Sequence, residues 1–287
     1  MRSRCLDAMK AIEELEVVVP DETMTRQGCV WDDTDADKVT ALFRENDIDG
    51  LIIGTMTFGD EVSALTIASA FRDKPLFLFG TKEGPFTEDG NRKSDSFCGT
   101  LSISSGLKRR KVPFLFGGMV FPEEAVFSSG LRNFVRVCAV VRDFKGARIG
   151  QVGPRPERFE TCIFNEDELM RQFGQRVIPI SLADIMASAT AHANQSSIEA
   201  IAGSIKEAAN AGLVDDATLG KIAGLEYALR KFAVDKQLAG MGVQCWTAMQ
   251  SVYGLSPCYA MGRLTDAGIM TACEVDIYGV LTMLLQY

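Results

Sequence analysis

Short apolar runs alternate with segments of helical period along this chain. The stretches LIIG (51–54), KPLFLFG (74–80), VPFLFGG (112–118), ARIGQVG (147–153), QRVIPIS (175–181), MGVQCW (241–246) and IMTACE (269–274) read as strands. LIIG and VPFLFGG are continuous rather than alternating, the mark of parallel strands buried on both faces. A further short strand is expected in EVVVP (16–20), closed by Pro20.

Between them lie helical patterns: 3–15, 35–48 with Asp35 or Asp37 near its start, 61–73, 98–110, and 121–146 with a break expected near Gly130. After Gly146 the rhythm restarts. Helices are expected over 165–174 with Asn165 as N-cap, 181–189, 196–211, 216–238, 247–254, 257–268 and 276–287. Helices alternating with short apolar strands predict open, mainly parallel sheets covered on both faces. The restart divides the chain into two doubly wound, Rossmann-like α/β domains, 1–145 and 146–287.

Composition supports buried cores: 47% of the residues are hydrophobic and the mean hydropathy is +0.07. A net charge of −8 argues against a nucleic-acid or anionic-membrane partner. The one dense basic cluster, Lys108–Lys111, reads as a solvated helix end. No apolar run reaches the roughly 18 residues of a membrane span, and the opening residues do not resemble a secretory signal. The eight cysteines form no CxxC pair, and most sit among apolar neighbours as small hydrophobes. A reducing cytoplasm is the expected home.

Ligands in such sheets bind beyond the carboxyl ends of the strands. That rule nominates Thr55, Thr57, Thr81, Lys82, Arg155, Glu160, Gln244, Trp246, Glu274 and Asp276. Glu274 is the strongest candidate, because a carboxylate closing an apolar strand needs a cation, a metal or a raised pKa. Asp276 suits either a helix cap or a functional role. Arg155 and Arg158 suit either a structured turn or the grip of an anion or sugar hydroxyl. Trp246 and Tyr278 suit either packing or stacking on a sugar ring. His192, the lone histidine, reads as a surface residue, and with no clustered cysteines a self-contained zinc site of the usual kind is not expected. GxGxxG, GxxxxGK[ST] and GxSxG are absent.

The order of RIGQVGPRPERFET, VQCWTAMQSVYGLSPCYAMGRLTDAGIMTACEVDIYG and the closing apolar helix resembles the L-fucose/L-arabinose isomerase family. The resemblance is most specific over residues 240–283. It implies an aldose–ketose isomerase working through an enediol, with manganese or another divalent cation polarising the sugar oxygens. It also implies a homo-oligomer whose sites borrow residues from a neighbouring subunit. Glu274 falls on the family's catalytic, metal-binding carboxylate, and Asp276 on the second acid of its E-x-D motif. Arg155, Gln244, Trp246 and Asp276 are the expected substrate contacts. Family members continue into a third domain with a second metal-binding carboxylate and a histidine ligand. The chain is therefore expected to be an incomplete isomerase with little activity alone. The alternatives are a non-catalytic sugar-binding module and an oligomerisation fragment.

Overall fold

The computed structural model describes residues 1–191, 195–208, 212 and 214–287. They form two compact units, Met1–Arg142 and Asp143–Tyr287.

The first unit runs α1 (Arg2–Lys10), α2 (Asp33–Glu45), β1 (Leu51–Thr55), α3 (Glu61–Ala70), β2 (Leu76–Thr81), α4 (Ser96–Arg109), β3 (Leu115–Val120) and α5 (Ala125–Phe144), which ends at the border. Its three strands are parallel in the order β1-β2-β3. Right-handed crossovers in one direction put α3 and α4 on the same face. There Leu65, Ile67, Ile103 and Leu107 pack with Val39 of α2 against Leu51, Leu76 and Leu78. The opposite face of β2 presents Phe77 and Phe79 to Cys5 and Met9 of α1 and to Phe127, Leu131 and Phe134 of α5. The central strand is buried throughout, and its period-2 alternation feeds both cores.

Several local expectations change. EVVVP forms no ladder; Val17 packs into the α1–α5 core instead, and Arg2 donates to the carbonyls of Pro20 (2.7 Å) and Gly28 (3.1 Å). Helix α2 is capped by Asp32, which accepts from Asp35 N–H. Asp35 in turn accepts from Trp31 N–H at 3.2 Å, closing a capping-box-like pair. Helix α5 is unbroken at Gly130, where the missing side chain makes room for the Phe77 ring. VPFLFGG is an edge strand, with Leu115 and Phe116 exposed, rather than a strand buried on both faces.

The second unit runs β4 (Arg148–Val152), α6 (Glu166–Phe173), β5 (Arg176–Ile180), α7 (Leu182–Thr190), α8 (Gln195–Ala208), α9 (Asp216–Lys236), β6 (Gly240–Val243), α10 (Cys258–Asp266), β7 (Met270–Cys273) and α11 (Ile277–Gln286). All four strands are parallel, in the order β5-β4-β6-β7. From β4 the chain first crosses outward to β5, then reverses to place β6 on the other side. The reversal sends α6 and α11 to one face, with Leu169, Ile277, Val280 and Leu281. It sends α7, α9 and α10 to the other, with Ile185, Leu225, Leu229 and Leu264. Both units are thus open parallel sheets with helices on each face, as the alternating pattern predicts. Asn165 caps α6 by accepting from Glu168 N–H at 3.1 Å. The stretch 247–254 is not a regular α-helix: Met249–Tyr253 form a single π-turn closed by left-handed Gly254.

One buried polar group in this unit carries no signal in the sequence pattern. Glu226 of α9, 1% exposed, accepts from Arg263 Nε of α10 at 2.6 Å and from Arg230 Nη2 at 3.1 Å. Arg263 also donates to Ser204 of α8 at 2.9 Å. Two guanidinium groups meet the desolvation cost of the carboxylate, and the cluster ties three helices together.

Candidate functional site

In the second unit the connections from β4 leave in opposite directions to β5 and, by way of β5, to β6. The carboxyl ends of β4 and β6 therefore flank a topological switch point, where doubly wound sheets bind ligands. The residues just past each strand keep the ladder going. Gly153 N–H donates to Ile180 O (3.0 Å), Gln244 N–H to Val152 O (2.8 Å) and Val275 N–H to Val243 O (3.3 Å). This fixes the starting height of each loop above the sheet.

Gly153 is left-handed, with φ of +77°, and a Cβ there would lie 2.4 Å from Gln244 Oε1. Gln244 thus lies against the start of the loop after β4. Trp246, 56% exposed, pairs with Phe159 of that loop at a ring-centroid distance of 5.9 Å. Arg155 turns its Nη1 onto its own loop, donating to the carbonyls of Pro156 (3.1 Å) and Glu157 (3.3 Å). Arg158 and Glu160 are exposed.

Glu274 follows β7 in an unusual backbone. Glu274 and Val275 are both left-handed, with φ of +52° and +59°. Two successive such residues without glycine are rare, and a β-branched residue there is strained. Val275 is fully buried and tucked over β6: a Cβ on Gly242 would lie 2.8 Å from the Val275 Cα and carbonyl carbon. Only glycine leaves room for that approach. Asp276 then caps α11, accepting from Gly279 N–H at 2.8 Å. Tyr278 Oη accepts from Asn165 N–H at 3.0 Å, which ties α11 to the start of α6.

The turn brings Glu274 to two thiols. Cys245 Sγ donates to Glu274 Oε1 at 3.1 Å. The Cys245 and Cys273 sulfurs and a Glu274 carboxylate oxygen all lie within 4.8 Å of one another. Cys245 is buried, Glu274 half-buried and Cys273 exposed. Although the residue is exposed, partial loss of solvent around its sulfur and, after it, the Glu274 carboxylate push the Cys273 thiol up to about 12. Burial above all raises Cys245 as well. Without a cation both sulfurs are protonated at neutral pH, and neither is an activated nucleophile.

Packing as small hydrophobes, which their apolar neighbours in sequence suggest, does not describe these two cysteines. CW follows β6 and CE ends β7, and it is the pairing of these two strands, with Val243 opposite Cys273, that brings the thiols together. The manganese implied by the resemblance favours oxygen ligands. Among the described residues this is the one cluster of three His, Cys, Asp or Glu ligand atoms, and it offers a single oxygen beside two sulfurs. These three side chains alone do not fit a hard cation. His192 lies outside the described residues.

In the first unit the strand-end candidates are largely structural. Thr55 Oγ1 donates to Phe79 O at 3.1 Å and lies 2.5 Å from Thr100 Oγ1. Thr100 donates to Ser96 O at 2.8 Å, and Ser96 to Thr81 O. Thr55, Thr81, Ser96 and Thr100 are all buried and lock α4 onto β1 and β2. Lys82 pairs with Glu124 at 2.5 Å. Thr57 is exposed.

The chain is 27% identical over 240 residues to a sulfoquinovose isomerase of Alkalicoccus urumqiensis, covering 83% of this chain and 52% of the relative. It is 25% identical over 242 residues to one from Priestia megaterium, covering 84% and 53%. A third, from a Clostridium species, is 24% identical over 238 residues, covering 81% and 52%. The chain spans about half the length of the curated relatives it matches. Residues 1–145 match the model of the fucose/sulfoquinovose isomerase N-terminal domain, and the chain belongs to that family.

Proposed function

We propose that this chain carries the proton-transfer carboxylate of an aldose–ketose isomerase, and that Glu274 is that group. The observation that carries the reading is its placement. A half-buried carboxylate is presented by a strained turn at the carboxyl edge of a doubly wound sheet, beside the switch point. The relatives named sulfoquinovose isomerase support the reaction class.

Such an isomerisation moves a hydrogen between C2 and C1. A base takes the C2 proton, the electron pair left behind forms a C1=C2 bond, and the C1 oxygen gains a proton to give the enediol. Returning the proton to C1 and releasing that of the C2 hydroxyl gives the ketose. A carboxylate held rigidly at a strand end suits both transfers, since it need not move far between adjacent carbons. Gln244 and Trp246, on the neighbouring loop, are placed to orient a sugar, Gln244 by its amide and Trp246 by its exposed face. Asp276 serves the turn as a cap. Arg155 serves through its loop, which the guanidinium folds back upon itself. The substrate class is an aldohexose of the fucose or sulfoquinovose kind. A divalent cation such as manganese would take Glu274 as one oxygen ligand and draw its remaining ligands from outside the Cys245–Cys273–Glu274 group. The 287-residue chain by itself therefore turns over weakly, and a homo-oligomer in the cytoplasm belongs to the same reading.

The test is hydrogen exchange at C2. Incubation of the chain with L-fucose or sulfoquinovose in D2O, with Mn2+ added, is followed by proton NMR. Slow Glu274-dependent exchange is expected, falling on the order of 100-fold or more in Glu274→Gln. Exchange or ketose formation that is unchanged in Glu274→Gln would refute the assignment. So would a chain that neither binds nor exchanges either sugar.

A further inference from the structure

Two thiols beside a carboxylate at an open strand edge make a donor set unlike that of a sugar isomerase's oxygen-ligated cation. We propose that Cys245, Cys273 and Glu274 bind a thiophilic divalent cation of the Zn2+ class, with a fourth position open to solvent. The claim concerns what these three side chains hold, and it stands whether or not the chain isomerises sugar.

Geometry carries it. In a tetrahedral zinc site with Zn–S bonds of about 2.3 Å, two sulfurs lie about 3.8 Å apart. The three ligand atoms here are already within 4.8 Å of one another, so the set closes on an ion by small side-chain rotations. They come from rigid places. Cys273 is the last residue of β7 and Cys245 lies two residues past β6. Glu274 is aimed by the left-handed pair that Gly242 and buried Val275 hold down. Cys245 Sγ already points at the Glu274 carboxylate, 3.1 Å away, and a cation would replace that contact.

Chemistry selects the ion. Two sulfurs and one oxygen favour zinc, or cobalt as its spectroscopic stand-in, over manganese and magnesium, which want oxygen ligands. Three protein ligands and an exposed flank at Cys273 leave room for water or a ligand oxygen, the pattern of zinc sites that keep an open position. Binding releases the two thiol protons.

The experiment uses the reduced 287-residue chain, free of any histidine tag, and Co2+. One Co2+ per chain is expected, with a thiolate-to-cobalt charge-transfer band that Zn2+ abolishes by displacement and excess Mn2+ does not. Affinity should fall on the order of 100-fold in Cys245→Ser or Cys273→Ser, and measurably in Glu274→Gln. Substitution of exposed Cys258 by serine should change nothing. Because Cys273 is exposed, Cys273→Ser remains a valid test if Cys245→Ser does not fold. The absence of a charge-transfer band in the parent, or its survival in Cys273→Ser, overturns the proposal. Since the readout is a spectrum and not turnover, its failure is distinct from failure of the isomerase reading.

Discussion

Replacing Glu274 by asparagine should stabilise the second unit while removing the carboxylate. A non-glycine residue held in the left-handed region costs about 1–2 kcal/mol, and asparagine tolerates that region better than glutamate. Against this stands the loss of one hydrogen bond from Cys245, a weak thiol donor, worth at most ~0.5 kcal/mol. The net expectation is a gain of about 0.5–1 kcal/mol. The neighbouring Val275 should behave oppositely. Val275→Gly relieves similar strain but removes a fully buried side chain, worth about 1.5–3 kcal/mol, and frees the unfolded backbone by a further ~0.5–1 kcal/mol. A net loss of about 1 kcal/mol is expected. Urea denaturation followed by tryptophan fluorescence measures both. The chain has two tryptophans, so a Trp31→Phe background leaves Trp246 as sole reporter of the second unit. With m near 1–3 kcal/mol/M, the midpoint should rise by a few tenths of a molar for Glu274→Asn and fall for Val275→Gly. Destabilisation of 1 kcal/mol in Glu274→Asn, or a Val275→Gly as stable as its parent, would refute the claim that this turn stores strain against a buried anchor.

Gly242→Ala forces a methyl against the Val275 backbone at 2.8 Å; because backbone cannot swing away, a loss of about 1–3 kcal/mol is expected in the same urea assay. Glu226→Ala strands Arg263 and Arg230 among packed helices, and a loss near 3 kcal/mol is expected, the low end for a broken buried pair because both arginines keep some solvent. In the first unit burial pushes Cys5 and Cys138 up to about 11 from 9.0. The folded state therefore holds these protons more tightly, the unfolded chain binds fewer between about pH 9 and 11, and stability should be lost across that window as pH rises. Melting temperatures taken from pH 8 to 11 should decline less steeply in Cys138→Val, and an identical slope would count against the burial argument.

The parallel architecture was legible in the short apolar runs between helical patterns, and the seven runs from LIIG to IMTACE all lie on or overlap a strand. Failures came where position in the sheet matters more than composition. EVVVP is as β-branched as any strand here, yet it joins no ladder and packs by burying Pro20 and setting Val17 into the α1–α5 core. VPFLFGG is apolar enough for the interior, but being third in the order β1-β2-β3 leaves it at an edge. Glu274 could be nominated because a carboxylate ending an apolar strand is costly unless used. Its thiol neighbours could not be assigned without knowing that β6 and β7 are adjacent, since Cys245 and Cys273 are 28 positions apart in sequence. Nor does a string reveal that Glu226, one acid among many on helices, faces inward.

The four residues from Cys273 to Asp276 divide their work in a way that folding alone does not require. A turn from strand to helix with two left-handed residues is most simply built from glycine or asparagine. Here the second left-handed residue is valine because its side chain fills the core beside Ile277 and Val280, which offsets the strain. The fourth is aspartate because α11 needs a cap. The first left-handed position has no such structural reason for being glutamate: its donor is a thiol, among the weakest in proteins, and its side chain is only half-buried. A strained residue kept where an unstrained one would serve the fold is best explained by a ligand that the residue meets. Both the sugar proton and the thiophilic cation proposed for this edge would be such ligands, and each requires the carboxylate at position 274 to point where this backbone directs it.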